Sequence, residues 1–118
     1  MSFSQNHTAI KVTDIGKSVS FYQNAFGLTE QKRIESEEYL LVFIGNERSD
    51  NLIELMCYHN HPGKYDLGEN PVHIALYADD YKTVKEKHKR AGIITEDGGG
   101  LYMVVDPDGY RIEVISSV

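Results

Sequence analysis

Two histidines and two glutamates stand at matching places in the two halves of the chain, and together they carry the donor atoms of a metal site. His7 and Glu54 lie in the first half, and His73 and Glu113 lie in the second. Each Glu interrupts a short apolar strand, where a bare carboxylate is costly to bury unless a partner compensates its charge. Two imidazoles and two carboxylates suit Ni²⁺, Zn²⁺ or Co²⁺, with positions left for water or substrate. The sequence therefore predicts one metal site made of these four residues.

An internal duplication strengthens this interpretation. The segment His7–Ile10 aligns with His73–Leu76, and Leu52–Leu55 aligns with Arg111–Val114. A single His near a strand start is more often solvated or hydrogen-bonded than a ligand, and a single Glu on an amphipathic strand usually faces water. The same pair at equivalent positions of two copies is seldom produced by chance, so the duplication favours the metal site.

Each half is predicted to fold as a β-α-β-β-β module. The fold class is α+β, with the two modules forming curved mixed sheets around a metal cleft. The first and last strands of each module are expected to pair, so that its His and Glu point into one concavity. We expect one domain over residues 1–118, made of module 6–58 and module 71–115 joined by linker 59–70.

The element boundaries follow from hydrophobic spacing and from turn residues. The first helix follows Thr13–Asp14, which offers an N-cap, and ends before Gly27, while the second spans Tyr81–Ala91. The turn Asp106–Gly109 combines a Pro that pre-sets φ, Asp side chains that cap amides and a Gly with positive φ. The predicted strands are His7–Val12, Thr29–Glu35, Tyr39–Ile44, Leu52–Tyr58, Val72–Tyr77, Ile93–Thr95, Tyr102–Asp106 and Tyr110–Ile115.

Composition excludes several classes of function. The formal charge is −6, with 18 acidic residues against 12 Lys and Arg, and no basic run occurs, which argues against a nucleic-acid surface. The single cysteine, Cys57, is expected to be a packed thiol and fits a reducing compartment. The chain shows neither a secretion-signal pattern nor an apolar stretch of about 20 residues, so we expect a cytoplasmic protein without a membrane span.

Other residues that resemble site residues have simpler explanations. His59 and His61 lie in the linker, and His88 lies in a lysine-rich helix, so all three are predicted to be solvated. The run Gly98–Gly100 lacks the following Lys and Ser or Thr of a phosphate-binding loop and is interpreted as a flexible turn.

Three segments carry a resemblance to a known family. The segment His7–Leu28 resembles the opening of the vicinal oxygen chelate superfamily, and Lys64–Leu76 and Asp106–Glu113 resemble glyoxalase I (lactoylglutathione lyase) in particular. The resemblance implies a glyoxalase/bleomycin-resistance-like fold. The His-Glu-His-Glu set is the glyoxalase I pattern, whereas related epimerases usually carry Gln at the position of Glu54. The short chain resembles the compact, nickel-preferring bacterial branch.

The resemblance also implies a reaction. A divalent ion would promote isomerisation of the hemithioacetal of methylglyoxal and a thiol to an S-2-hydroxyacyl thioester, which is methylglyoxal detoxification. Glu113 matches the family's metal-bound base, and Glu54 would be a ligand and a possible base on the opposite face. The alternatives are another metalloenzyme of the superfamily, such as an epimerase, or a non-catalytic binder of a small molecule or antibiotic.

The thiol site departs from the family pattern. Glyoxalase I usually has an Arg four positions after the first ligand His and an Asn four positions after the first ligand Glu. Here those positions are Lys11 and Tyr58, with Asn60 two residues further on. The resemblance implies that these three residues bind substrate, with glutathione or another thiol as cosubstrate. The loop of the second half is also shortened, to about Thr95–Leu101.

Assembly has two possible forms. The modules either share a site within one chain, or each pairs with the other module of a second chain, and the linker is long enough for both. Glyoxalase I relatives use the second arrangement, so the resemblance implies a homodimer. In it, His7 and Glu54 of one chain share a metal with His73 and Glu113 of the other.

Overall fold

The computed structural model of the protein describes residues 1–117 and divides the chain into two compact units. The first unit is Met1–Tyr65, and the second begins at Asp66. The boundary falls inside the predicted linker 59–70. None of the helices in residues 1–117 combines the length and the apolar character required to cross a bilayer.

The first unit is a four-stranded mixed sheet with one helix. Its strand order is β1-β4-β3-β2, in which β1 and β4 are parallel and the other pairs are antiparallel. The helix contacts β2, β3 and β4. The elements are β1 (His7–Lys11), α1 (Ile15–Phe26), β2 (Thr29–Glu35), β3 (Tyr39–Gly45) and β4 (Leu52–Tyr58).

Local sequence accounts for the ends of α1. The Asp14 carboxylate accepts a hydrogen bond from the Lys17 amide at 3.1 Å, as an N-cap residue does. Gly27 ends the helix with φ of 67°, a conformation that glycine adopts without the steric penalty of a Cβ. Between these ends, Tyr22 is fully buried in the core together with Val42 and Leu55 of the sheet.

The second unit repeats this plan. Its strand order is β5-β8-β7-β6, again with a parallel pair between the first and last strands, β5 and β8. The prediction of a duplicated α+β fold with mixed sheets is thereby confirmed. The elements are β5 (His73–Ala78), α2 (Tyr81–Arg90), β6 (Ile94–Asp97), β7 (Leu101–Val105) and β8 (Arg111–Ser116).

The turn before β8 has the predicted chemistry. The Asp106 carboxylate accepts hydrogen bonds from the amides of Asp108 at 2.9 Å and Tyr110 at 2.8 Å, and Gly109 has φ of 97°. Asn70 donates a side-chain hydrogen bond to the Gly109 carbonyl at 2.8 Å. The turn therefore fixes the point from which β8 starts.

Two expectations for the second unit were wrong. His88 is only 1% exposed, and its Nδ1 lies 2.7 Å from the Tyr102 hydroxyl. Its lysine neighbours suggest a solvated helix, but His88 lies seven residues after Tyr81, on the same helical face, and that face packs against Tyr102. The loop expected at Thr95–Leu101 is shorter, because β6 continues to Asp97 and leaves only residues 98–100.

Candidate metal centre

The first His–Glu pair is formed by the parallel strands β1 and β4. His7 pairs in register with Leu52, and Glu54 pairs with Ala9, so His7 and Glu54 are offset by two residues and share a face of the sheet. The His7 Nε2 lies 3.2 Å from the Glu54 Oε1. The side chain of His7 is 36% exposed and that of Glu54 only 10%. The pair therefore opens to solvent on its imidazole side.

The second pair has the same register in the other unit. His73 pairs with Arg111 and Glu113 with Ala75, so the offset of two residues recurs between β5 and β8. The His73 Nε2 lies 3.6 Å from the Glu113 Oε1, and Glu113 is also the less exposed partner, at 18% against 41%. Duplication therefore reproduces the geometry of the pair as well as its residue types.

Neighbouring strands hold each glutamate in the same way. Glu54 lies between Ala9 of β1 and Phe43 of β3, and Glu113 lies between Ala75 of β5 and Met103 of β7. The small residue on one side leaves space beside the carboxylate, while the large apolar residue on the other side limits access of water.

Hydrogen bonding at His7 favours a cation between the imidazole and the carboxylate. The His7 Nδ1 lies 2.7 Å from the Asn6 side-chain oxygen, which can only accept, so this contact is a hydrogen bond in the tautomer that carries its proton on Nδ1. In neutral His7 the Nε2 lone pair then faces the Glu54 oxygen, which is also an acceptor. A proton on Nε2 or a metal ion removes this conflict. Asn6 was not among the site residues predicted from the sequence, although a polar residue directly before a candidate ligand is placed to contact that ligand.

The distances within both pairs fit a divalent ion. Two atoms bound about 2.0–2.2 Å from one ion, at angles between the octahedral 90° and the tetrahedral angle of about 110°, lie about 2.8–3.6 Å apart. The observed distances of 3.2 Å and 3.6 Å lie within this range. Within residues 1–117, no group of three or more His, Cys, Asp or Glu side chains is placed to hold a metal ion. The structure thus brings the four predicted ligands together as two pairs, one in each unit.

The three predicted substrate-binding residues meet in one pocket of the first unit. Lys11, Tyr58 and Asn60 line this pocket, whose volume is about 460 Å³. The sequence did not predict four further residues of its wall, three of which lie in the predicted linker and one between two predicted strands: His61, Pro62, Tyr65 and Glu38. His61 was expected to be solvated and is exposed, but its ring stacks on Tyr65 at a centroid distance of 3.7 Å.

Cys57 and His59 belong neither to the His–Glu pairs nor to the lining of the pocket. The Cys57 thiol is partly buried, and its sulfur lies 3.8 Å from the Thr13 carbonyl oxygen. His59 is exposed, with Nε2 3.3 Å from the Ser36 carbonyl oxygen.

Comparison with known proteins identifies the family. Residues 4–114 match the Glyoxalase/Bleomycin resistance protein/Dioxygenase superfamily, and the chain belongs to this superfamily. The fold described above is thus that of a recognised class of protein.

Several relatives within this superfamily indicate one type of enzyme. A probable lactoylglutathione lyase of Synechocystis is 34% identical over 94% of this chain and 93% of its own length. A lactoylglutathione lyase of Haemophilus influenzae is 33% identical over 94% and 90%. The solved structure of a trypanothione-dependent glyoxalase I of Leishmania major has a TM-score of 0.86 and 30% identity, covering 98% of this chain and 87% of its own. The prediction of a lactoylglutathione lyase-like enzyme is confirmed by these similarities.

Proposed function

We propose that this protein isomerises the hemithioacetal of methylglyoxal and a thiol to an S-2-hydroxyacyl thioester in a metal-dependent reaction. The observation that carries the proposal is the repeated pair. His7 with Glu54 and His73 with Glu113 face each other at 3.2 Å and 3.6 Å in the same strand register. Similarity to lactoylglutathione lyases along 94% of the chain supports the reaction type.

The four residues would hold one divalent ion in each site. Mixed imidazole and carboxylate donors suit Ni²⁺, Zn²⁺ or Co²⁺ and leave positions for substrate oxygens. The bound ion would supply electrostatic stabilisation of the negative charge that develops on the substrate when a C–H proton is removed.

The glutamates of the chain would move the proton. Glu113 would accept the proton from the carbon attached to sulfur and return it to the neighbouring carbon, so that no net proton is consumed. Glu54 would serve as a ligand and as a base for the opposite face of the substrate.

The assembly we propose is a homodimer with two shared sites. Each unit provides one His–Glu pair, and a complete site needs two pairs. In the dimer, His7 and Glu54 of one protomer would act with His73 and Glu113 of the other. A twofold axis then generates two identical sites. A reducing cytoplasm suits a chain whose single cysteine cannot form an internal disulfide.

The decisive experiment measures turnover after metal loading. Metal-free protein is loaded with Ni²⁺, Zn²⁺ or Co²⁺ and assayed with methylglyoxal and a panel of thiols, with thioester formation as the readout. We expect activity only in the loaded protein. Stoichiometric metal binding without turnover of any hemithioacetal would favour another metalloenzyme of the superfamily, and absence of metal binding would favour a non-catalytic binder.

A further inference from the structure

The row of strand-paired residues that contains Glu54 ends in a lysine on the outermost strand. Across the first sheet, four residues pair in register on β1, β4, β3 and β2, which are Ala9, Glu54, Phe43 and Lys32. Residues that pair in register project from the same face of a sheet, so Lys32 lies on the face that carries the His7–Glu54 pair. Neighbouring strands are about 4.8 Å apart, which puts the Lys32 backbone roughly 10 Å from that of Glu54.

The ammonium group of Lys32 is held over Phe43. Its Nζ lies 5.7 Å from the centroid of the Phe43 ring, within the range of cation–π attraction. The same ring packs edge-on against the His7 imidazole at 5.3 Å, and Phe43 itself is buried. One aromatic ring therefore contacts both the first candidate ligand and the Lys32 ammonium, which places a positive charge beside the His7–Glu54 pair.

This positive charge has no ion-pair partner in the described part of the chain. Within residues 1–117, the Lys32 ammonium forms neither an ion pair nor a hydrogen bond. The next residue, Arg33, pairs in register with Val42 and donates hydrogen bonds to the Glu30 carboxylate at 3.0 Å and 2.7 Å. Of these two neighbouring cations, Lys32 is thus the one that can bind an anion from outside the chain.

The second unit carries the opposite charge at the equivalent position. Its row consists of Ala75, Glu113, Met103 and Glu96, and a register irregularity precedes Glu96 as one precedes Lys32. The His–Glu pairs of the two units are alike, but the outer ends of their rows differ in charge. In the proposed dimer, each site would be bordered by Lys32 of one protomer and Glu96 of the other, and would distinguish the two ends of a charged substrate.

We propose that Lys32 determines substrate specificity by binding an anionic group, a carboxylate or a phosphate, on the aldehyde-derived part of the hemithioacetal. The inference rests on the proposed lyase function. The sulfur substituent and the aldehyde side chain leave the two reacting carbons in different directions. Lys11, which is expected to bind the thiol, lies two residues along β1 from Ala9. Lys32 lies instead across the sheet from Glu54. Methylglyoxal has only a methyl group to place there, so a longer 2-oxoaldehyde with a terminal acid binds better.

Calorimetric binding to the nickel-loaded protein tests the assignment without turnover. The probes are S-(3-carboxypropyl)glutathione and the methyl ester of its S-substituent, which differ only in the charge of the group that replaces the aldehyde side chain. We expect Lys32→Gln to weaken binding of the carboxylate probe about three- to fivefold, the size of an exposed ion pair, and not that of the ester. Lys32→Arg keeps the wild-type affinities because it keeps the charge. Arg33→Gln is the matched control, since it removes the neighbouring cation, and it leaves both affinities unchanged.

Three outcomes overturn the inference. Equal loss of both probes in Lys32→Gln means that Lys32 binds a carboxylate of the thiol itself, and no loss of either means that it does not contact ligand. The third is failure of the carboxylate probe to bind the wild type.

Kinetics separates this inference from the proposed function. Glutathione hemithioacetals of 4,5-dioxopentanoate and of its methyl ester are assayed beside that of methylglyoxal. Turnover of methylglyoxal, with the same acid-to-ester ratio of kcat/KM in the wild type and in Lys32→Gln, retains the lyase and refutes the role of Lys32. Lys32-dependent binding of the carboxylate probe in a protein that turns over no hemithioacetal refutes the lyase and retains the anion site.

Discussion

Glu54 and Glu113 occupy equivalent strand positions but have different surroundings. Glu54 lies beside Phe43, whose ring packs edge-on against His7 at 5.3 Å, and its side chain is 10% exposed. Glu113 lies beside the flexible Met103 and is 18% exposed. A base must approach and leave its substrate carbon, so the less confined Glu113 is the better candidate for the proton transfer that starts the reaction.

Glu113→Gln should lower kcat by about 10²–10⁴-fold, because an amide can still coordinate a metal but cannot accept a proton. Metal content, measured by atomic absorption, should fall much less than activity. Glu47→Gln, in an exposed turn, is the charge-matched control and should retain wild-type activity. Near-normal turnover of Glu113→Gln would exclude Glu113 as the essential base.

Polar contacts hold two elements of the second unit in place, helix α2 and strand β8. Helix α2 is held against β7 by His88 and Tyr102, with the Lys85 ammonium 5.9 Å from the Tyr102 ring and bonded to Asp97 at 2.8 Å. Strand β8 begins at the turn that Asp106 organises. Both contacts lie in the unit that contains His73 and Glu113, so they support the second half of the candidate site.

Tyr102 should make the stability of this unit sensitive to alkaline pH. Burial, with a smaller contribution from Tyr81, raises the pKa of Tyr102 from its ordinary value near 10 to about 12. The folded state thus favours the neutral phenol. The stability that the folded state gains by keeping Tyr102 neutral is fully present below about pH 10 and is lost as the pH rises through about 12. Chemical denaturation of the wild type and of Tyr102→Phe between pH 8 and 12 should show a steeper decline in unfolding free energy for the wild type. Parallel declines would contradict the assignment.

Asp106→Ala should lower the free energy of unfolding by about 2 kcal/mol, because two turn amides lose a shared acceptor worth about 1 kcal/mol each. Asp106→Asn retains one side-chain oxygen and should cost less than half as much. Urea denaturation of both variants provides the measurement. Equal losses in the two would show that the charge of Asp106, and not its acceptor geometry, stabilises the turn.

For the whole molecule, the proposed activity requires two His–Glu pairs, and one chain holds one pair in each unit. Sharing between protomers would make catalysis depend on dimerisation, even though each unit has its own sheet and its own buried core. Dilution below the dimer dissociation constant should then remove activity without unfolding the protein.

Complementation between inactive chains tests this arrangement. A His7→Ala/Glu54→Ala chain is mixed with a His73→Ala/Glu113→Ala chain, each inactive alone. In a shared-site dimer one of the two sites of every mixed dimer is intact, so random reassociation should restore about a quarter of wild-type activity. If mixed dimers form, as shown by native mass spectrometry, but remain inactive, the sites are not shared between protomers.

Local sequence patterns determined most of the secondary structure and the identity of the candidate ligands. The bounds of β2 and β4 agree with prediction, and Asp14, Gly27 and Asp106 act as their residue types predict, because capping and turn chemistry involve only nearby backbone. Duplication identified the two His–Glu pairs because equivalent positions in two copies can be compared within the sequence itself.

Tertiary structure alone decided which distant residues came into contact. The burial of His88 against Tyr102 and the entry of Glu38 and Tyr65 into the pocket of Lys11 both depend on contacts between separate segments. Such contacts depend on strand register and on packing between elements, and neither is specified by the period of the local sequence pattern. His88, which lies between lysines, is therefore buried because its face of the helix packs against Tyr102 in the folded chain.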